Sequence, residues 1–311
     1  MRDARVNQYP ETNRSDADWA VAVFAHNEAD NIERCLNSIR GHASRRIHAY
    51  VLANGCSDET ESVVRSYAER NDWVSLVSIA RGDKCNAWNV FVHEVAPAAQ
   101  IHFFMDGDVW AEAGAFDALG DALSSDTRAM AAAAAPSTGR AKAFMEELVC
   151  THRLLLGNLY ALRGTFVQAA RQAGVRLPIG YVGDDGLVTS LVKWNLDPKG
   201  EFHAWRVAPC PQARFGFRSF SFLSPSDWRT YLRRRIRYSR RHFEHELIVP
   251  LLRQGITKMP SDVETLYQLQ QRQLFSLRPR GGIERLFDSL ALRTMRTSLS
   301  RFTAAQRSSP G

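Results

Sequence analysis

The chain has 311 residues, 45% hydrophobic and 23% charged, which excludes intrinsic disorder and sets a prior of about two domains. The formal net charge of +7 hides a split. Residues 1–200 carry 20 Lys/Arg against 25 Asp/Glu, a net of −5, and residues 201–311 carry 20 against 8, a net of +12, which excludes a uniformly basic nucleic-acid-coating protein.

Residues 1–18 form a polar segment without an apolar signal core. From 19 onward, strand-like and helix-like patterns alternate. Strands are predicted at 19–25, 49–53, 74–79 and 101–105, and helices at 30–39, 60–70 and 85–95. That alternation predicts an α/β fold with a mostly parallel sheet flanked by helices. Residues 129–135 read as a further, alanine-rich strand. Residues 142–162 read as one long helix, 184–195 as a helix opened by two acids, and 205–208 as a short strand. After Pro225 the chain turns Arg-rich, with helices predicted at 226–252, 261–275 and 283–302 and a break at 277–282. No run of 18 apolar residues suggests a membrane span. Five scattered cysteines without C-x-x-C argue against a disulfide framework or a structural zinc site and fit a reducing cytoplasm.

Ligands of parallel α/β sheets bind beyond the carboxyl ends of the strands. Four successive ends are polar here: His26-Asn27-Glu28, Asn54-Gly55-Cys56-Ser57-Asp58, Arg81-Gly82-Asp83-Lys84 and Asp106-Gly107-Asp108. Each has an ordinary reading as a turn or helix cap. Their joint placement at one sheet edge favours a ligand site. Two carboxylates on one tight turn repel each other, and a hard divalent cation such as Mg²⁺ or Mn²⁺ resolves the repulsion.

Taken in order, these motifs resemble a family 2 glycosyltransferase with the GT-A fold. Gly157-Asn158-Leu159-Tyr160-Ala161-Leu162-Arg163 resembles the family's acceptor-side stretch. Gly183-Asp184-Asp185 resembles its acidic pair, and Arg234-Arg235-Ile236-Arg237-Tyr238 is a distant form of its Gln-x-x-Arg-Trp motif. The resemblance covers roughly residues 19–243. It implies a catalytic domain at 19–224, with a Rossmann-like nucleotide-sugar half at about 19–110 and an acceptor half at about 111–224. A basic helical section at 225–311 follows.

The resemblance also implies roles. Ala25, Asn27 and Glu28 would contact base and ribose, Asn54 would face the base, and Lys84 would approach the nucleotide. Asn54 stands where many members have Asp. Asp106 would meet the ribose or the metal, and Asp108 would ligate the metal. His242 or His245 would complete the ligand set. Arg234 and Arg237 would hold the diphosphate. Asp185 would act as general base in an inverting transfer, with Asp184 orienting either Asp185 or the acceptor. Residues 163–167 and 215–223 would border the acceptor. The implied cofactor is Mn²⁺ or Mg²⁺. The implied partners are a nucleotide-sugar donor and a hydroxyl acceptor, free or lipid-linked, and nucleic acid is not expected. The basic tail, with Ile283, Leu286, Phe287, Leu290, Met295, Leu299 and Phe302 at helical spacing, fits two readings equally, a helix packed on the catalytic domain or a cytoplasmic enzyme attached to an anionic inner leaflet.

Two competing readings stay open. Residues 103–109 also resemble the first motif of haloacid-dehalogenase-type phosphatases, with Asp106 as nucleophile. A non-catalytic homologue or a nucleic-acid-binding module is the other.

Overall fold

The computed structural model describes residues 4–6, 18–40, 45–218 and 225–308. The expected frayed end at 308–311 falls outside these beyond residue 308, as do residues 219–223 of the expected acceptor border. The chain divides into two compact units, 1–175 with 185–219 and 176–184 with 220–311. The expected boundary at 225 thus becomes discontinuous, because residues 176–184 group with the C-terminal helices.

The first unit is built on a nine-stranded sheet in the order β1-β4-β3-β2-β5-β8-β7-β9-β6. Strands β2 (Trp19–Ala25), β3 (Ile47–Asn54), β4 (Val74–Ile79) and β5 (Ile101–Asp106) pair in parallel, as their alternation with helices predicts. Helices α1 (Ile32–Arg40), α2 (Thr60–Glu69) and α3 (Lys84–Val90) connect them, and α3 runs into a π-helical turn at Phe91–Val95. Every residue of β2 is buried, so an unbroken apolar run is what this strand needs.

The other half of the sheet is mixed. β8 (Leu159–Arg163) lies antiparallel between β5 and β7 (Ala131–Pro136). β9 (Val207–Phe217) runs parallel to β7, and β6 (Val109–Ala111) is antiparallel to β9. The five alanines of β7 are fully buried and let α4 (Ala115–Ser125) and α5 (Lys142–Cys150) approach the sheet closely. Phe104 of β5 stacks on Tyr160 of β8, with ring centroids 4.9 Å apart.

Three expectations are corrected. The helix expected over 142–162 stops at Cys150, and Arg153 takes a φ of +49° before the chain re-enters the sheet as β8. The short strand expected at 205–208 is the eleven-residue β9. The polar N-terminal segment contains β1 (Ala4–Val6), paired antiparallel with β4. Helices α6 (Gly164–Gln172) and α7 (Asp184–Lys193) complete the elements before the C-terminal section.

The second unit holds α8 (Pro225–Leu252), α9 (Val263–Leu269), α10 (Gln271–Ser276) and α11 (Glu284–Ser308). No helix among the described residues is long and apolar enough to cross a membrane. α11 buries Phe287, Ala291, Leu292, Met295 and Leu299 and packs on α8 and α9. Beside them Asp288 is wholly buried and accepts three bonds from Arg280: Nη2 at 2.8 Å, Nε at 2.9 Å and the main-chain N–H at 2.8 Å.

Burial alone would raise the Asp288 pKa, but the Arg280 contacts outweigh it and bring the carboxyl down to about 2. A carboxylate depressed in the folded state stabilises above its unfolded pKa and loses that contribution as pH falls through the folded value. Asp288→Ala should therefore cost about 2 kcal/mol near neutral pH, because it removes the charge-assisted bonds that the carboxylate accepts from Arg280. Urea unfolding should show the difference from wild type shrinking between about pH 4 and about pH 2.

Candidate active site

The loops after β2 and β3 are joined side chain to main chain. Asn27, at φ +58°, accepts from the N–H groups of Ser57 (2.8 Å) and Asp58 (3.3 Å) through Oδ1. In return the Glu28 N–H donates to the Thr60 hydroxyl at 2.7 Å, and the Ala29 N–H to Asp58 Oδ2 at 3.2 Å. Gly55 sits at φ +61°, and a Cβ there would lie 2.4 Å from the Gly82 nitrogen, so a side chain would drive the ends of β3 and β4 apart.

Asn54 is buried, and its Nδ2 donates to the carbonyls of Ala25 (2.8 Å) and Leu52 (3.3 Å). The Asn54 amide nitrogen thus ties β3 to β2. Asp at this position would set a carboxylate against two carbonyls with no proton to share.

The turn after β5 is held by the Gly107 N–H, which donates to the Phe24 carbonyl at 2.8 Å. Lys84, the first residue of α3, reaches across with Nζ 2.6 Å from Asp106 Oδ1. The same ammonium donates to the Gly157 carbonyl at 3.2 Å. The Gly157 N–H donates to Asp185 Oδ2 at 3.2 Å, while Asp185 Oδ1 accepts from the Gly186 N–H at 2.8 Å. One glycine therefore carries the connection from the Asp106–Lys84 pair to Asp185. A Cβ on Gly157 would stand 3.0 Å from Lys84 Nζ and 3.6 Å from Asp185 Cβ, so only glycine leaves this junction clear. Asp184 and Asp185 are both largely buried.

Acids accumulate along this edge. The Glu28 carboxyl is pushed up to about 7, chiefly by burial and further by Asp108, Asp106 and Asp58, against the opposing hydrogen bond from Asn31. Among the described residues no group of three His, Cys, Asp or Glu is placed to hold a metal ion alone. Mg²⁺-type ions are commonly held by one or two carboxylates together with substrate phosphates, which fits the donor set that Asp106 and Asp108 offer.

The second unit carries the other expected residues. Arg234 and Arg237 are exposed on α8 and make no hydrogen bond or ion pair among the described residues. His242 pairs with Glu246 at 3.0 Å, and His245 is exposed. The roles expected of these four residues rest on the sequence resemblance. A cluster the sequence did not reveal lies close by in the chain: Glu244 is fully buried and accepts from the Val182 N–H at 2.7 Å, from Tyr267 and from Arg240. Arg240 also donates to the Gly180 carbonyl at 2.7 Å. Glu244, Tyr267 and Arg240 thus fix the loop that leads into Asp184. Arg163, expected at the acceptor border, spends its guanidinium on the main-chain carbonyls of Leu123, Ala129 and Asp126.

Residues 20–171 match the model of the family described as glycosyl transferase family 2. The chain thus carries a family 2 glycosyltransferase domain on a GT-A fold, and the phosphatase reading falls away. A search of curated proteins by sequence finds no match. Among solved structures it is similar to a mannosyltransferase from Pyrobaculum calidifontis in complex with GDP-mannose and Mn²⁺, at 17% identity over 99% of this chain and 80% of that one, with a TM-score of 0.56. It is also similar to glucosyl-3-phosphoglycerate synthase from Mycobacterium tuberculosis in complex with Mn²⁺, UDP-glucose and glycerol 3-phosphate, at 18% identity over 74% and 80% of the two chains, with a TM-score of 0.50. A third is GalNAc-T7 with UDP, GalNAc and Mn²⁺, at 12% identity over 85% of this chain and 59% of that one, with a TM-score of 0.51.

The raised Glu28 pKa has a consequence for stability. The native state keeps a proton that the unfolded chain releases above its pKa of about 4.5, so stability falls as pH rises from there to about 7. Glu28→Gln should raise the melting temperature by several degrees at pH 8 and leave it unchanged near pH 4, as read by thermal denaturation at the two pH values.

Proposed function

We propose that the protein transfers a single sugar, with inversion, from a nucleoside-diphosphate donor to a hydroxyl acceptor. The observation that carries this reading is the Asp106–Lys84–Gly157–Asp185 connection at the carboxyl edge of a GT-A sheet. The mannosyltransferase and the synthase it resembles in fold were solved with nucleotide sugar and Mn²⁺, which supports a divalent metal here as well.

Asp106 and Asp108 would hold that metal. When bound, it would offset the charge that develops on the departing diphosphate. Lys84 keeps the Asp106 carboxylate oriented in the meantime. Asp185 takes the proton of the acceptor hydroxyl as its oxygen attacks the anomeric carbon. Both Asp185 oxygens already accept a main-chain N–H, so the carboxylate is fixed before any acceptor arrives. Asp184 orients the acceptor side, and the Arg234 and Arg237 guanidiniums suit phosphate oxygens. In the cell, we place the enzyme in the cytoplasm, peripheral to the inner face of the membrane, acting on a lipid-linked acceptor in polysaccharide synthesis. The basic C-terminal helices support that location.

A thermal-shift screen of UDP, GDP and their sugar conjugates, with and without Mn²⁺, tests the donor class, since a ligand that binds the native state raises the melting temperature. A metal-dependent shift with one nucleotide is expected, and no shift with any would overturn the reading. Asp185→Asn should lower turnover at least about a hundredfold while leaving donor affinity within about twofold, the range for loss of a general base. Retained turnover removes Asp185 from the mechanism. Asp108→Ala should abolish Mn²⁺-dependent donor binding in calorimetry, and unchanged affinity would contradict its role as ligand.

A further inference from the structure

The second unit has a concave site that sugar transfer does not employ. It has a volume of about 380 Å³ and is walled by Phe275, Leu277, Arg278, Arg293, Arg296 and Thr297, among others. Three guanidiniums line it, and no carboxylate does. Arg296 Nη2 donates to the carbonyls of Leu274 (3.3 Å) and Leu277 (3.1 Å), while its buried Nε has no partner. Arg278 donates to the carbonyls of Phe275 (3.0 Å) and Leu277 (3.1 Å). The end of α10 therefore already serves two arginines. Arg293 is exposed and makes no ion pair or hydrogen bond among the described residues. Three like charges in one hollow repel, and a phosphate group would relieve the repulsion while matching the guanidinium forks.

A second feature adjoins the hollow. α11 turns its apolar residues in two directions. Phe287, Met295 and Leu299 are buried, whereas Leu286 is 63% exposed and Leu290 39%, and Ile283, just before the helix, is 78% exposed. Leu286, Leu290, Arg293 and Thr297 follow one another at intervals of four, three and four residues, so they form one stripe. The apolar ridge thus leads directly into the arginine-lined hollow. A soluble anion would use the hollow and leave the ridge in water, and so would a nucleic acid. An anionic bilayer uses both, the headgroup phosphate meeting arginine and the apolar ridge entering the upper acyl region.

We propose that this hollow and ridge bind the surface of a bilayer containing anionic phospholipid, with phosphate at Arg278 and Arg293 and with Ile283 and Leu286 inserted. The assignment rests on the membrane location proposed above and gives it a specific site. It needs neither nucleotide nor turnover, so its failure leaves the transferase reading untouched.

The test is co-sedimentation of the full chain with vesicles of phosphatidylcholine alone and with added phosphatidylglycerol. Binding is expected only with phosphatidylglycerol. Arg293→Glu should weaken it at least about fivefold, the loss expected for one cation beside an anionic leaflet. Leu286→Ser should weaken it as well, with both variants melting as wild type does because both side chains are exposed. Absence of binding to phosphatidylglycerol vesicles overturns the proposal, and so does binding that neither variant changes. Tighter binding to a single-stranded oligonucleotide, weakened by Arg293→Glu but not by Leu286→Ser, would assign the hollow to nucleic acid instead. A melting-temperature rise with inorganic phosphate in the absence of vesicle binding would make it a site for a free anion, and would equally overturn the membrane assignment.

Discussion

Glu28, Asp58, Asp106 and Asp108 act on one another electrostatically at the carboxyl edge of β2, β3 and β5, and the fold has to hold them there against their repulsion. Each is restrained differently. Asp58 accepts from Thr60 and from the Ala29 N–H, which keeps its carboxyl below the usual range despite its neighbours. Asp106 has the Lys84 ammonium. Glu28 has only the Asn31 amide and burial, and so it is the group whose protonation is displaced. A site that gathers uncompensated acid sacrifices stability for a later cation, the arrangement expected where binding rather than folding has shaped the residues.

Gly157 converts that edge into a site with two sides. It leads into β8, which lies antiparallel between β5 and β7. Its carbonyl and N–H point to Lys84 and Asp185, so a displacement of β8 would move both. The stacked Phe104–Tyr160 pair resists such a displacement from within the core. Packing in the sheet and geometry at the proposed base are therefore the same problem.

The parallel half was legible because its strands are short apolar runs between amphipathic helices, and its turn residues fell at the strand ends. The antiparallel half was not. Leu154, Leu155 and Leu156 extend the apparent helix of α5, and nothing local announces that Arg153 turns to positive φ or that 159–163 is captured by β5 and β7. Pro209 and Pro211 disguise β9 as a loop. The strand tolerates Pro211 because its register against β7 shifts between Ala134, opposite Cys210, and Ala135, opposite Arg214. At the site, Asp106, Asp185 and Lys84 were visible as residues, but their link through a main-chain glycine was not. Glu244 and Tyr267 lie 23 residues apart and met no motif.

The opposed charges of the two sections acquire a more exact meaning from the second unit. Part of its arginine is structural: Arg240 is committed to Glu244, Arg235 to Glu284 and Arg280 to Asp288. These pairs take three of the eight acids and three of the 20 basic residues after residue 200, leaving five acids against 17 bases. Basic side chains that reach solvent are spread along the section, among them Arg233, Arg234 and Arg237 on α8 and Arg285, Arg293 and Arg301 on α11. Guanidiniums near the middle of one helix and beside an apolar ridge on another are separate features with separate chemistry. The first stands on the helix whose Arg240 and Glu244 fix the loop before Asp184, and the second has exposed leucines beside it. A net charge of +12 is thus a sum over structural pairs and a larger set of solvent-facing guanidiniums spread over several helices.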